Sequence, residues 1–388
     1  MKTTSALLPT QSAPALTDEG VLAATLDCLL EHLPIEMNGA CSLQTLFEVL
    51  LRAASRIDSI EHTTQRLKGI PTGNGIRHHL NKLDDMASLE AQLNDALHHR
   101  LPPQVFNHRH RLAIDLNLIP YYGEPSADEA PYIYRSKAKA GTTSFFAYAS
   151  IYLIRRDQRV TLAIHAVRKD ETLVATITQL LARLTPLKVR VKSLCLDRGF
   201  YCVPVIRWLK ALTIPFMMPA VIRGKQRGTR QFCRGRTSYF TPYTLNSDQY
   251  GSVDCQLAVI CTYRKGCQGL HGIAYLIYVV YRVKVALHGI RLHYRRRFGI
   301  ETNYRIKNHC RIRTTTKNPV IRLLFVALAF ILVNLWVYLL WVYVSTSRRG
   351  GRLVYNVLFP LKTMMEFLSQ AVEQHFPPRR EIHLPANS

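Results

Sequence analysis

Residues 110–118 read HRLAIDLNL, placing Leu112, Ile114, Leu116 and Leu118 on one face and Ala113, Asp115 and Asn117 on the other. Alternation with a period of two is the signature of a half-buried strand. Asp115 therefore stands on the face opposite the apolar row. Residues 144–154 and 160–167 read as two further strands, joined by the charged turn Arg155-Arg156-Asp157-Gln158-Arg159. Asp170 can cap a helix over residues 171–184, Pro186 ends it, and residues 188–196 form a fourth strand running into Asp197-Arg198-Gly199. The order of three strands, helix and strand indicates an α/β fold.

Upstream of this block, residues 17–105 are helical in pattern, with Thr17 and Asp18 as candidate caps and apolar positions such as Leu46, Phe47, Val49 and Leu50 spaced for one face. Within them, residues 59–67, the turn Gly69-Ile70-Pro71-Thr72, and residues 75–83 resemble helix, turn, helix, with Arg77 and Lys82 on the second helix. Two readings stand: a DNA-reading helix-turn-helix, or a helical hairpin whose charged face is simply solvated. Downstream, residues 223–285 are rich in Arg, Tyr, Gly and Cys with short strand-like runs, and read as a β-rich insertion. Residues 287–313 are basic and helical in pattern. Residues 323–344 are apolar and uncharged over a length that can span a bilayer, but Asn334 sits mid-segment and both flanks are basic, so a buried core helix fits equally. The tail from Pro377 is Pro-rich and expected to be mobile.

The 388 residues carry 51 Lys and Arg against 26 Asp and Glu, a formal charge of +25 that favours a polyanionic partner. With 48% hydrophobic residues the chain can bury a full core, which excludes a disordered basic tail. Nine cysteines without a C-x-x-C pair fit a reduced, cytoplasmic compartment. Cys255, Cys261, Cys267 and His271 offer a zinc alternative, at spacings too wide for familiar fingers. The first 16 residues read as a flexible polar leader.

Cutting a phosphodiester requires stabilising an attacking and a leaving oxygen together, a task suited to two divalent cations held by carboxylates. Asp115 on the first strand, Asp197 at the end of the fourth and Glu301 on a later helix meet that need from three separate elements. The string Asp197-Arg198-Gly199-Phe200-Tyr201, followed by a helix and the apolar run Ile214-Pro215-Phe216-Met217-Met218-Pro219, resembles the second-acid region of insertion-sequence DDE transposases. Residues 294–301 resemble the Tyr-Arg-Glu-Lys signature of one large subgroup, with Tyr294, Arg297 and Glu301 at matching spacing. That spacing of three and four also puts the three side chains on one face of a regular helix. The signature Lys falls where Asn308 stands here, and Lys307, one residue earlier, turns off that face, so Lys307 and Arg305 both stand as candidates for its phosphate contact.

The resemblance spans roughly residues 110–340. It implies an RNase H-like mixed sheet with a β-rich insertion, preceded by a helical N-terminal domain, and an acidic triad of Asp115, Asp197 and Glu301 binding Mg²⁺, for which Mn²⁺ can substitute. It also implies that residues 323–344 are a core helix rather than a membrane span. The expected organisation is a leader (1–16), a helical and possibly DNA-binding domain (17–105), a first catalytic part (106–222), the insertion (223–285), a second catalytic part (286–376) and a tail (377–388). The expected partners are double-stranded DNA, through Tyr294, Arg297, Arg305, Lys307, Arg77 and Lys82, and a second copy of the chain, with the nucleoid as the place of action. A DNA-binding derivative that no longer cuts, and an RNase H-like nuclease that hydrolyses without joining, are the alternatives.

Overall fold

The computed structural model describes residues 15–39, 41–106, 108–155, 160–224, 228–263, 272–298, 307–349 and 351–381. The central sheet runs β2 (Ile133–Lys139), β3 (Thr142–Leu153), β1 (Arg109–Pro120), β5 (Arg190–Leu196), β6 (Phe216–Pro219), β9 (Ile273–Tyr281), β8 (Gly251–Tyr263), β7 (Tyr239–Ser247). Strand β4 (Thr161–Ala166) also pairs with β3, on the edge that β2 uses further along. Strands β1, β3 and β4 are antiparallel neighbours, while β5 lies parallel to β1 and β6 parallel to β5. The crossovers to β5 and β6 contain α6 (Leu173–Ala182) and α7 (Val203–Ala211), as parallel strands require. Strands β7 to β9, read as an insertion, continue this same sheet through the antiparallel pairing of β9 with β6.

Alternation along β1 divides the sheet as expected. Leu112 and Ile114 enter a core with Ile177 and Leu180 of α6 and Val205, Ile206 and Leu209 of α7. Ala113, on the other face, packs with Tyr152 and Cys195. The cap of α6 is Thr172, whose hydroxyl accepts from Ala175 N, and not Asp170. Glu171, expected inside the helix, lies before it because its carboxylate is held by His165 and by Arg168 N.

Five helices precede the sheet: α1 (Asp18–His32), α2 (Leu43–Arg56), α3 (Ile60–Arg66), α4 (Gly73–Leu80) and α5 (Met86–His98), each started by a Thr, Ser or Asp side chain accepting a first-turn N–H. Their core is continuous with α9 (Pro319–Tyr343) and α10 (Leu361–His375). Ion pairs of Arg52 with Glu373 (2.7 Å) and His375 with Glu48 (2.8 Å) join the two ends of the chain. The tail expected to be mobile is pinned at its start, where Lys68 N donates to Pro377 O and Arg379 N to Arg66 O. Of the leader, residues 1–14 lie outside the described residues, as do 382–388 of the tail.

Helix α9 is long and apolar enough to cross a membrane, and 83% of its most apolar window is buried inside the protein. Its one mid-helix polar residue, Asn334, is fully used: Oδ1 accepts from Thr161 N (3.0 Å), and Nδ2 donates to Thr161 O (2.8 Å) and Leu97 O (2.9 Å). One amide thus ties α9 to the end of α5 and to β4. The helical pattern of 287–313 holds in part among the described residues, 299–306 lying outside them. Within the described residues there is α8 (Ile290–Arg295), a 3₁₀ turn over Arg296–Phe298, a second over Asn308–Cys310, and extended chain after it.

Two predictions follow from buried polar groups. Asn334→Leu should destabilise the protein by about 3 kcal/mol in chemical denaturation, because Thr161 N, Thr161 O and Leu97 O lose their partner inside the core; an unchanged midpoint would show that the groups find other partners. His165 lies between Glu90 (2.9 Å) and Glu171 (2.9 Å). Burial opposes its charge, but the hydrogen bonds and charges of the two carboxylates outweigh that and lift its pKa from 6.5 to about 9. The same contact outweighs the burial of Glu171 and lowers its pKa from 4.5. The histidine's contribution is complete below pH 6.5 and is lost as pH rises through about 9. That of Glu171 is present above pH 4.5 and lost as pH falls through its folded value. Stability should therefore decline between pH 6.5 and 9 by up to about 3 kcal/mol, with a flatter decline in His165→Gln; parallel profiles for the two chains would exclude His165 as the source.

Candidate active site

Ile114 pairs with Leu196 across the parallel strands β1 and β5, so the next residues, Asp115 and Asp197, emerge side by side on the same face. Asp115 lies midway along β1 opposite Ser150 of β3, and Asp197 is the first residue past the end of β5. The Asp197 side chain makes no capping hydrogen bond to the 3₁₀ turn Arg198–Phe200 that follows, although its backbone starts that turn. Asp115 Oδ1 accepts from Leu116 N (3.0 Å).

Arg297 spans the two acids: Nη1 is 3.5 Å from Asp115 Oδ2 and Nη2 is 3.3 Å from Asp197 Oδ1. Its side chain is only 5% exposed, against 15% for Asp115 and 43% for Asp197. Two carboxylates on neighbouring strands repel, and a cation between them offsets that repulsion. The guanidinium is positioned by Tyr294, over whose ring it lies at 5.4 Å. Tyr294 is itself buried; its hydroxyl donates to Leu196 O (3.1 Å) and its ring packs on Tyr278 (5.0 Å). Burial raises its pKa far above the ordinary phenol value, so it stays protonated. Tyr294, expected among the DNA contacts, thus makes core contacts and braces the strand end that bears Asp197. Beside it, burial and then the charges of Arg111, Arg296 and Lys192 push the pKa of His293 down to about 4, leaving it neutral.

Glu301 and Arg305 lie outside the described residues. Lys307 is buried, with Nζ 4.7 Å from the centre of the Phe330 ring, and desolvation brings its pKa down to about 7. It lines a cleft of about 460 Å³ together with Asn117, Arg311 and Arg313. Asn117 shares the Asp115 face of β1, two residues on, so this cleft opens alongside the acids. Arg311 and Arg313 are exposed. A second groove, of about 700 Å³, shares Arg313 and Thr314 with the first and reaches Arg77 on α4. Arg77 is committed to Glu61 (2.8 Å) and Asn74, and Lys82 is half-buried just after α4.

Sequence reasoning passed over Arg311, Arg313 and Asn117. The alternation of β1 already put Asn117 on the acid face, and the basic run around residue 312 carried a signal that was taken as part of a helix. The zinc alternative finds no support in the part described: Cys255 Sγ donates to Tyr243 O (3.3 Å), and Cys267 and His271 lie outside the described residues.

Asp115 and Asp197 supply hard oxygen donors, and a cationic group already spans them, which fits a divalent cation of the Mg²⁺ class. The family described as "Transposase DDE domain" matches residues 108–335, from β1 into α9. Among solved structures, the chain is similar to the piggyBac transposase in a synaptic complex with hairpin DNA, seen by cryo-EM. The TM-score is 0.54 and the identity 12%, over 91% of this chain and 77% of that one. The shared fold is the RNase H-like transposase fold, a large mixed sheet with helices before it. No curated protein matches the chain.

Removing the guanidinium takes a cation from between two adjacent carboxylates. Arg297→Gln should cost about 2 kcal/mol in EDTA, and Mg²⁺ should raise its melting temperature more than that of the parent chain. An equal Mg²⁺ response in both would show that the cation and the guanidinium do not act on the same pair of acids.

Proposed function

The chain belongs to the transposase DDE domain family, and from that membership we propose that it is the transposase of an insertion sequence, cutting the element ends and joining each freed 3′-OH to target DNA. The observation that carries this reading is the side-by-side placement of Asp115 and Asp197 on parallel strands, two residues along β1 from Asn117, which lines a cleft with Arg311 and Arg313. DDE transposases are phosphoryl-transfer enzymes that generally use divalent metal ions.

Asp115 and Asp197, with Glu301 as the third acid, are the residues that would hold Mg²⁺, or Mn²⁺ in its place. Bound there, such ions supply Lewis-acid activation of the attacking oxygen and charge stabilisation of the leaving one. The chain's own groups do the rest. Arg311 and Arg313 hold the DNA backbone along the cleft by phosphate contacts, which position the strand without reading its bases. Arg297, which neutralises the acids in the free protein, can turn to the phosphate once the acids carry other cations. Lys307, at the cleft wall, stands next to that phosphate path, and Arg305, outside the described residues, is the other candidate for the contact. Arg77 and Lys82 extend the path toward α4, where contact with DNA requires Arg77 to exchange Glu61 for a phosphate. Tyr294 contributes by fixing Asp197 and Arg297, not by touching DNA.

Joining two ends in one event needs two active sites held together, so the active form is a pair of chains on DNA. The structural neighbour, described in a synaptic complex, supports that reading. The site of action is DNA in the cytoplasm, at the nucleoid.

The test is cleavage of labelled DNA carrying the flanking inverted repeats, in Mg²⁺ or in EDTA. Asp115→Asn, Asp197→Asn and Glu301→Gln should each lower the cleavage rate by about a thousandfold or more, with DNA binding retained. Binding without cutting by the parent would reduce the protein to a DNA-binding derivative, cutting without strand transfer would make it a nuclease, and full activity in one variant would remove that acid from the triad.

A further inference from the structure

At the far side of the helical region the last residues of α1 and the residue after α5 bring together two imidazoles and a carboxylate. His32 Nε2 lies 3.1 Å from His99 Nδ1. Glu31 Oε1 is 3.7 Å from His32 Nε2, and Glu31 Oε2 is 3.7 Å from His99 Nδ1. The imidazole pair alone is satisfied by one N–H···N hydrogen bond. The Glu31 contacts are not, since 3.7 Å is beyond hydrogen-bond range. Donors bound at about 2.1 Å to one tetrahedral ion are about 3.4 Å apart; the two imidazole nitrogens, and the nearer Glu31 oxygen to each of them, lie within a few tenths of an ångström of that length. We propose that Glu31, His32 and His99 form a binding site for a transition-metal ion of the Zn²⁺ class, separate from the DDE acids.

The surroundings agree with this assignment. The remaining ring nitrogen of His99, Nε2, is buried without a hydrogen-bond partner, and the nearest acceptor is Asp27 Oδ2 at 3.6 Å. At 3.6 Å this is not a hydrogen bond, but Asp27 is a carboxylate placed to accept from Nε2 and orient the ring when Nδ1 holds an ion. Asp27 is in turn gripped by Arg100. Helices α1 and α5 both end at the site, so their carbonyl termini favour a cation there. Two nitrogen donors and one oxygen donor select Zn²⁺, Co²⁺, Ni²⁺ or Cu²⁺ over Mg²⁺. With three protein ligands the fourth position falls to solvent, and the ion would clamp α1 to α5. Asn94 and His98 of α5 bond β4 directly, so the clamp would also steady the attachment of these helices to the sheet.

The decisive experiment uses the full chain carrying Asp115→Asn, Asp197→Asn and Glu301→Gln, so that the DDE acids cannot bind metal, stripped with chelator and titrated with Co²⁺ and Zn²⁺. One equivalent of Co²⁺ should give the visible bands of a nitrogen and oxygen site without a thiolate charge-transfer band, and be displaced by Zn²⁺ but not by Mg²⁺. Zn²⁺ should raise the melting temperature. Glu31→Gln, an exposed and structurally mild change, should weaken binding at least tenfold, and His32→Gln at least a hundredfold, each abolishing the thermal shift. The proposal is overturned by the absence of micromolar Co²⁺ or Zn²⁺ binding, by a thiolate band showing that cysteines hold the metal, or by unchanged affinity in both variants.

Discussion

The parallel pairing of Ile114 with Leu196 is the contact on which the candidate site depends. It places two acids on adjacent strands with one facing direction, and a mixed sheet achieves this only because α6 carries the chain back to lay β5 beside β1. Once the acids are adjacent their mutual repulsion needs a counter-charge, and Arg297 supplies it from outside the sheet. The position of Arg297 rests on Tyr294, and that of Tyr294 on Leu196 O and Tyr278 of β9. The β-rich segment thereby acts on the site at a distance: by extending the sheet through β6 and β9, it builds the floor on which α8 lies.

A second dependence runs through α9. An apolar helix of this length can slide against its neighbours, since dispersion contacts have little directionality. Asn334 fixes its register with three hydrogen bonds to backbone groups of Thr161 and Leu97. Glu90 and Asn94 on α5 add further bonds to Ala166 and Ile164 of β4. Helices from both ends of the chain and the strands that precede the second acid are therefore locked as one body. Phe330 of α9 also forms the surface under Lys307, so the same helix that organises the core sets the wall of the cleft.

Much of this architecture was legible before any coordinates, and what was not has physical reasons. Period-two alternation gave β1 and the face of Asp115, and the strands, helix and strand read in the central block are β1, β3, β4, α6 and β5, with β2 as an additional strand between the first two. The membrane-length apolar run resolved into a core helix because Asn334 has buried partners, which hydropathy alone does not encode. Strand β2 was unread: its sequence, Ile133–Lys139, is polar at an exposed edge and carries no apolar row. Helix α10 was passed over because it lies beyond the segment covered by the family resemblance. Residues 287–313 carry a helical pattern, yet among the described residues α8 gives way to 3₁₀ turns and then extended chain, since Pro-free basic sequence has no local signal for where tertiary contacts stop a helix. The spacing of Tyr294 and Arg297 survives this break, as residues three apart remain neighbours through a 3₁₀ turn. That the arginine faces the acids, rather than a phosphate, depends on strand register and was not readable from spacing.

The charge distribution separates attraction from chemistry. Many of the acidic side chains are consumed internally: Glu90 and Glu171 by His165, Glu48 by His375, Glu373 by Arg52. The formal charge of +25 is untouched by such pairing, and such a field draws any polyanion within a Debye length, irrespective of sequence. It cannot by itself choose the bond to be cut. On the proposed function that choice falls to Asp115 and Asp197, where acids stand against the prevailing charge, with a strand held along the cleft lined by Arg311 and Arg313. Bulk charge thus governs encounter and its dependence on salt, whereas the register of two strands governs where chemistry can occur.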